Sequence, residues 1–155
     1  MAKIDKPNKY KAKKIEIDGI KFDSIAEGDY YLYLKECVKL GKIDSFELQP
    51  TYTLQEKFCH KMSGSIRAIV YKADFRVYKN NCALIIDVKG KSTPVALLKR
   101  KMFLKRYAGL ELRWVVKSKK YSETGWIDYF ELLKIRRENR NKKKLKQYVY
   151  GIRRG

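Results

Sequence analysis

Cysteine and histidine are too scarce in this chain for much of the chemistry that depends on them. Of 155 residues only Cys37, Cys59 and Cys82 are cysteines, an odd number without a CxxC pair, so neither a disulfide framework nor a zinc ribbon is indicated. His60 is the single histidine. Cys59-His60 could supply half of a zinc site, but no second pair completes four ligands. Nor does His60 sit in a recognisable Ser-His-Asp or Cys-His nucleophile context. These residues read as fillers of core or loop. No stretch approaches 18 consecutive apolar residues, and the basic amino terminus is not followed by the apolar segment of a signal peptide, so a soluble cytoplasmic protein without membrane spans is expected. Acids are also in short supply: 17 Asp plus Glu stand against 37 Lys plus Arg, giving a formal charge of +20. A charge so far from zero implies a polyanionic partner, nucleic acid first and an anionic membrane second.

What is present is enough for one folded core. The chain is 45% hydrophobic, and at this length it can bury roughly two thirds of its unfolded surface. No internal repeat or linker divides it. Residues 1–14 read as a lysine-rich arm, residues 15–133 as the folded domain, and residues 134–155 as a basic extension with ten Lys or Arg and the single acid Glu138. Within the domain, KIEIDGIKF (14–22) predicts a hairpin turning at Asp18-Gly19. Ser24 and Glu27 predict the start of a helix that runs to about Leu40, with Glu27, Tyr31, Leu34 and Val38 on one side.

Residues 43–54 read as extended, with Gln49 held extended by the proline that follows it, and residues 55–65 as an exposed connection. Residues 66–78 read as one long strand, with Ala73, Phe75 and Val77 on one face and Asp74, Arg76 and Tyr78 on the other. The run ALIIDV (83–88) is apolar enough to be covered on both sides. Thr93-Pro94 caps a second helix over about 95–107, placing Leu97, Leu98, Lys101, Met102 and Lys105 near one another. A short strand follows at 112–116, and residues 126–133 fit a strand or a short helix equally well.

The stretch that carries chemistry is ADFRVYKNNCALIIDVKG (73–90). If Asn80-Asn81 make a two-residue turn, Lys79 faces Cys82 and Asp74 stands opposite Asp87. Alternation then puts Lys89 on the same face as Asp87. Like charges directly opposed on neighbouring strands are unfavourable unless a cation neutralises them, so the arrangement asks for a divalent metal with a lysine beside it. Asp74 and Asp87, with Glu27 and the Val88 carbonyl, are the candidate ligands. Glu27 is either a capping-box carboxylate or a third acid delivered from the first helical turn. Gln49 is an ordinary strand residue or an accessory group at the phosphate. Lys99 and Lys101 on the second helix, and Arg140 and Lys143 in the tail, are candidate DNA contacts. Hard oxygen ligands suit Mg²⁺, with Mn²⁺ as a substitute, and Lys89 could orient water or hold charge on a phosphoryl oxygen.

Asp74, a twelve-residue gap, and then Asp87-Val88-Lys89 resembles the D…(D/E)xK signature of the PD-(D/E)xK nuclease superfamily. Phe22-Asp23-Ser24, Glu27, Leu48-Gln49-Pro50, residues 71–75, Gly90 and Thr93-Pro94 follow in an order similar to small phage-encoded nucleases that include Holliday junction resolvases. Ala73 stands where the signature has proline. The resemblance, over roughly residues 15–116, implies an α/β restriction-endonuclease-like fold with an αβββαβ core and a mixed central sheet flanked by helices. It further implies catalytic roles for Glu27, Asp74, Asp87 and Lys89, and a homodimer that cuts branched, four-way DNA within the host cytoplasm. A restriction-like or nicking enzyme on linear duplex, or a non-catalytic nucleic-acid-binding protein, fits the same residues.

Overall fold

Asp18 and Gly19 both take positive φ, 54° and 74°, and so close the predicted two-residue turn between β1 (Ile15–Ile17) and β2 (Ile20–Phe22). The computed structural model in which this is seen describes residues 13–152, and side chains as far as residue 148. Residues 1–12 of the predicted basic arm lie outside the described residues, as do 153–155 of the tail.

Ser24 caps α1 (Ile25–Lys39), accepting a hydrogen bond from the Glu27 N–H. At its other end Gly41 takes φ 65°, while the Lys42 and Gly41 amides donate back to the Cys37 and Val38 carbonyls. That is the Schellman arrangement that satisfies the orphan carbonyls of a helix end. The buried face is Gly28, Tyr30, Tyr31, Leu34 and Cys37. The predicted side, Glu27 to Val38, is therefore turned by part of a step, and Val38 is exposed. Gly28 is where the hairpin presses closest: a Cβ there would meet Ile15 Cγ2 and Ile17 Cδ1 at 2.9 Å.

Next comes a long antiparallel ribbon. Its outgoing side is β3 (Ser45–Leu48), β4 (Thr51–Gln55) and β5 (Phe58–His60), and its return is β6 (Gly64–Ile66), β7 (Ile69–Lys72) and β8 (Phe75–Lys79). The register that pairs Leu48 with Phe75 resumes unchanged at Thr51 with Lys72, and so sets Gln49 against Asp74 and Pro50 against Ala73. At this point the ribbon breaks, which corrects two expectations. Gln49 is not extended but left-handed, φ 54°, and residues 66–78 are three strands rather than one. Pro50 lacks an amide for the ladder and Asp74 interrupts the opposite side, so the faces exchange across the break. Tyr71 and Ala73 pack into one core cluster, but Phe75 and Val77 pack into the other, so Ala73 does not share a face with Phe75.

β8 turns into β9 (Cys82–Val88) through Asn80 and Asn81, both at positive φ, with Lys79 paired to Cys82 as predicted. Thr93 then caps α2 (Pro94–Arg106), which crosses over to β10 (Glu111–Lys117), parallel to β9. β11 (Trp126–Asp128) runs straight into α3 (Tyr129–Ile152), so the ambiguous segment 126–133 is a strand followed by helix. The five-stranded mixed sheet has the order β11-β10-β9-β8-β3.

Alternation along its central strands supplies two cores. Ile86, Val88 and Val115 meet α1 residues Tyr30, Tyr31 and Leu34, whereas Ile85, Leu112 and Trp114 share the opposite cluster with Phe103 of α2 and Tyr129 of α3. The α2 face is centred on Phe103 with Ala96 and Met102, followed by Tyr107; of the residues expected to lie near one another, Met102 packs here while Leu97 and Leu98 are exposed. The boundary drawn at residue 134 falls inside α3, whose residues 136–148 are all exposed. Among the described residues no helix is long and apolar enough to cross a membrane.

Candidate active site

The break in the ribbon is where the acids meet. β8 and β9 are in register from Lys79–Cys82 to Phe75–Ile86, and one further step sets Asp74 against Asp87. The Asp74 amide donates to the Ile86 carbonyl at 3.1 Å, and the Val88 amide donates to Asp74 Oδ2 at 2.7 Å. Asp74 is thus fixed to β9 from both main chain and side chain. From the ribbon side, the Gln49 amide donates to the Asp74 carbonyl at 2.8 Å.

Asp87 is 3% exposed, the only charged residue of the described chain that is buried. A buried carboxylate needs partners, and it has two. The Tyr71 hydroxyl donates to Oδ2, and the Lys89 ammonium lies 2.6 Å from Oδ1. Trp114, paired with Asp87 across the parallel ladder, donates its Nε1–H to the Tyr71 oxygen at 2.8 Å. The Lys89 Nζ also stands 5.1 Å from the centre of the Trp114 ring, within cation–π range. Burial and the Asp87 carboxylate push the Tyr71 hydroxyl well above its ordinary pKa, so it remains a donor.

Asp74 carries the strain of the pair. Burial first, then the Asp87 and Glu27 charges, push its carboxyl up to about 8, against the lowering pull of the Val88 amide and Lys89. One lysine does not neutralise the cluster. A further cation would, and the donors present are hard oxygens of the kind that hold Mg²⁺. Among the described residues Asp74 Oδ1 receives no hydrogen bond, which leaves an oxygen for such an ion.

Glu27 fills the cap reading in full: Ser24 Oγ donates to Oε1 at 3.0 Å and the Asp23 amide to Oε2 at 3.1 Å. Its carboxyl is nevertheless pushed up, mainly by burial and in part by Asp23 and Asp87, so it contributes its field to the acid pair. With Glu27 engaged at the cap, no group of three or more His, Cys, Asp or Glu among the described residues is placed to hold a metal ion. Two carboxylates remain, and Mg²⁺ commonly uses one or two, retaining waters elsewhere. The residues present therefore fit a hard divalent ion without Glu27 as a direct ligand.

The remaining candidates stand apart from the pair. Lys99 donates to the Val70 carbonyl of β7 at 2.9 Å, and Lys101 is exposed on α2. Arg140 and Lys143 are exposed on the outer part of α3. Among the described residues none of the four makes an ion pair with Asp74 or Asp87. Tyr71 and Trp114 complete the hydrogen bonding around Asp87, and the sequence does not single them out. Only the parallel pairing of β10 with β9 brings Trp114 beside Asp87, and nothing in the local sequence announces that pairing.

No curated protein and no solved structure matches the chain. Residues 7–123 match the family described as Protein of unknown function (DUF1064), and with well over half its length covered the chain belongs to that family.

Proposed function

We propose that this protein is a metal-dependent DNA endonuclease of PD-(D/E)xK type. The observation that carries the reading is the meeting of Asp74 and Asp87 at a strand break with Lys89 bound to Asp87. With the ribbon strands β4 to β7 set aside as an excursion between β3 and β8, the order α1-β3-β8-β9-α2-β10 supports it, since this is the αβββαβ succession that the resemblance implies. The excess of basic residues supports a DNA substrate.

In this reading Asp74, Asp87 and the Val88 carbonyl would hold Mg²⁺ or Mn²⁺. The ion, when bound, supplies Lewis-acid stabilisation of charge on the phosphate oxygens. Tyr71 and Trp114 fix the Asp87 carboxylate in one orientation, the kind of support that keeps a ligand ready for its ion. Lys89, only partly exposed beside Asp87, would orient the attacking water or hold charge as it develops on a phosphoryl oxygen. Glu27 adds negative potential from the first turn of α1 and sharpens the demand for a cation.

The substrate class rests on the resemblance: a branched, four-way DNA cut by a homodimer, as in junction resolvases. Labelled linear, flap, fork and four-way DNAs, incubated with protein and Mg²⁺, test reaction and substrate together. Paired nicks across the four-way DNA are expected. Equal or faster cutting of linear duplex of the same sequence would reject the resolvase reading and leave the nuclease. Absence of cutting on every DNA with either ion would favour a binding protein.

A further inference from the structure

Beyond Gln55, where β4 and β7 end their packing against α2, the ribbon leaves the folded body. Gln55 pairs with Ile69, and the same register continues to Phe58 with Ile66 and His60 with Gly64, after a single shift between Thr53 and Gln55. At about 3.3 Å per residue, the run from Thr51 to His60 spans roughly 30 Å. Every residue from 56 to 65 is exposed. A two-stranded ribbon with no covering element is marginal on its own, so its exposed faces invite a partner.

The tip is held by its own hydrogen bonds and carries one large apolar side chain. His60 Nδ1 accepts from the Met62 and Ser63 amides at 3.3 and 3.2 Å, which holds the turn, and Met62 is 88% exposed at its apex. Phe58 is also exposed and lies across from Ile66. Around these apolar groups stand Lys57, Lys61 and Arg67, all exposed, and among the described residues none of them is in an ion pair. The one nearby acid, Glu56, is already paired with Arg106 at 2.6 Å.

We infer that the ribbon 56–68 is a DNA-binding arm that lies in a groove of the duplex flanking the cleaved bond, with Lys57, Lys61 and Arg67 on phosphates and Met62 against the bases. This rests on the endonuclease reading for its substrate but not on the chemistry at Asp74. Four observations support it together. A two-stranded ribbon fits the major groove, the cations match the phosphate backbone, and an exposed apolar side chain such as Met62 can contact a thymine methyl there. The ribbon from the break to its tip is close in length to one helical turn of DNA, so the arm at its outer end would reach about ten base pairs from the acid pair.

The test measures DNA binding by the full chain in EDTA, with duplexes of 10 and 30 base pairs over a range of salt. A Lys57→Glu, Lys61→Glu, Arg67→Glu triple variant should weaken binding to the longer duplex at least tenfold. The slope of log affinity against log salt should flatten by about 0.9 for each phosphate that is no longer neutralised. The short duplex should be much less affected, and thermal stability unchanged, because these side chains are exposed. Met62→Ser should weaken the longer duplex without changing the slope. Unchanged affinity and slope in the triple variant would overturn the arm, as would a change in oligomeric mass with DNA affinity intact. Cutting with Mg²⁺ that persists undiminished in the triple variant would remove the arm and spare the nuclease. Ribbon-dependent binding without cutting under any condition would do the reverse.

Discussion

The Tyr71 hydroxyl is hydrogen-bonded to the buried Asp87 carboxylate and is itself the acceptor for Trp114 Nε1. One phenol therefore satisfies two buried polar groups. Tyr71→Phe would leave Trp114 Nε1 without a partner and Asp87 with Lys89 alone, a cost of about 1–3 kcal/mol. A melting temperature lowered by several degrees is expected, measured by circular dichroism. Metal affinity should also fall by roughly 10- to 100-fold, as for other residues that support a ligand through a hydrogen bond, and titration calorimetry reads that loss.

Asp74 gives a pH signature. Its carboxyl titrates at about 8 in the folded chain, whereas a free aspartate titrates near 3.9. Between those values the folded state holds the extra proton, so metal-free stability falls as pH rises from about 4 to about 8. Asp74→Asn removes that slope. Urea unfolding in EDTA should show the variant more stable than the parent at pH 8, by roughly 1–3 kcal/mol, with the difference nearly gone at pH 4. Added Mg²⁺ should stabilise the parent at pH 8 and leave the variant nearly unmoved, because only a state that binds the ion gains from it.

Glu27 separates capping from catalysis. Glutamine serves in a capping box as glutamate does, so Glu27→Gln should leave the melting temperature within about a degree of the parent. It removes the charge that acts on Asp74. Cutting should fall roughly tenfold, about 1.4 kcal/mol, and by much less than in Asp87→Asn. Loss as deep as that of Asp87→Asn would make Glu27 a direct ligand.

The hairpin 73–90 is legible in the sequence because each of its signals is local. Asn80-Asn81 is the turn, the alternation sets the faces, and counting from the turn puts Asp74 opposite Asp87. The same holds for Asp18-Gly19, for Ser24 with Glu27, and for Thr93-Pro94. What escapes is non-local. The proline after Gln49 predicts extended backbone, yet the left-handed conformation of Gln49 answers the interruption at Asp74 on the opposite strand. The buried face of α1 differs from expectation by part of a turn because the helix is rich in amphipathic side chains, and packing against Phe75 and its neighbours decides which side is buried. Tyr71 becomes visible as a site residue only when the fold brings its hydroxyl to Asp87, 16 residues away.

Cutting of DNA with Mg²⁺ by the parent chain and by Lys89→Ala and Asp87→Asn, each shown to be folded, tests the central claim most directly. The parent should nick DNA, and each variant should lose at least about a hundredfold in rate, which is the scale for removing a group that stabilises developing charge. Undiminished cutting by either variant, or a folded parent that cuts no DNA with Mg²⁺ or Mn²⁺, would contradict the account.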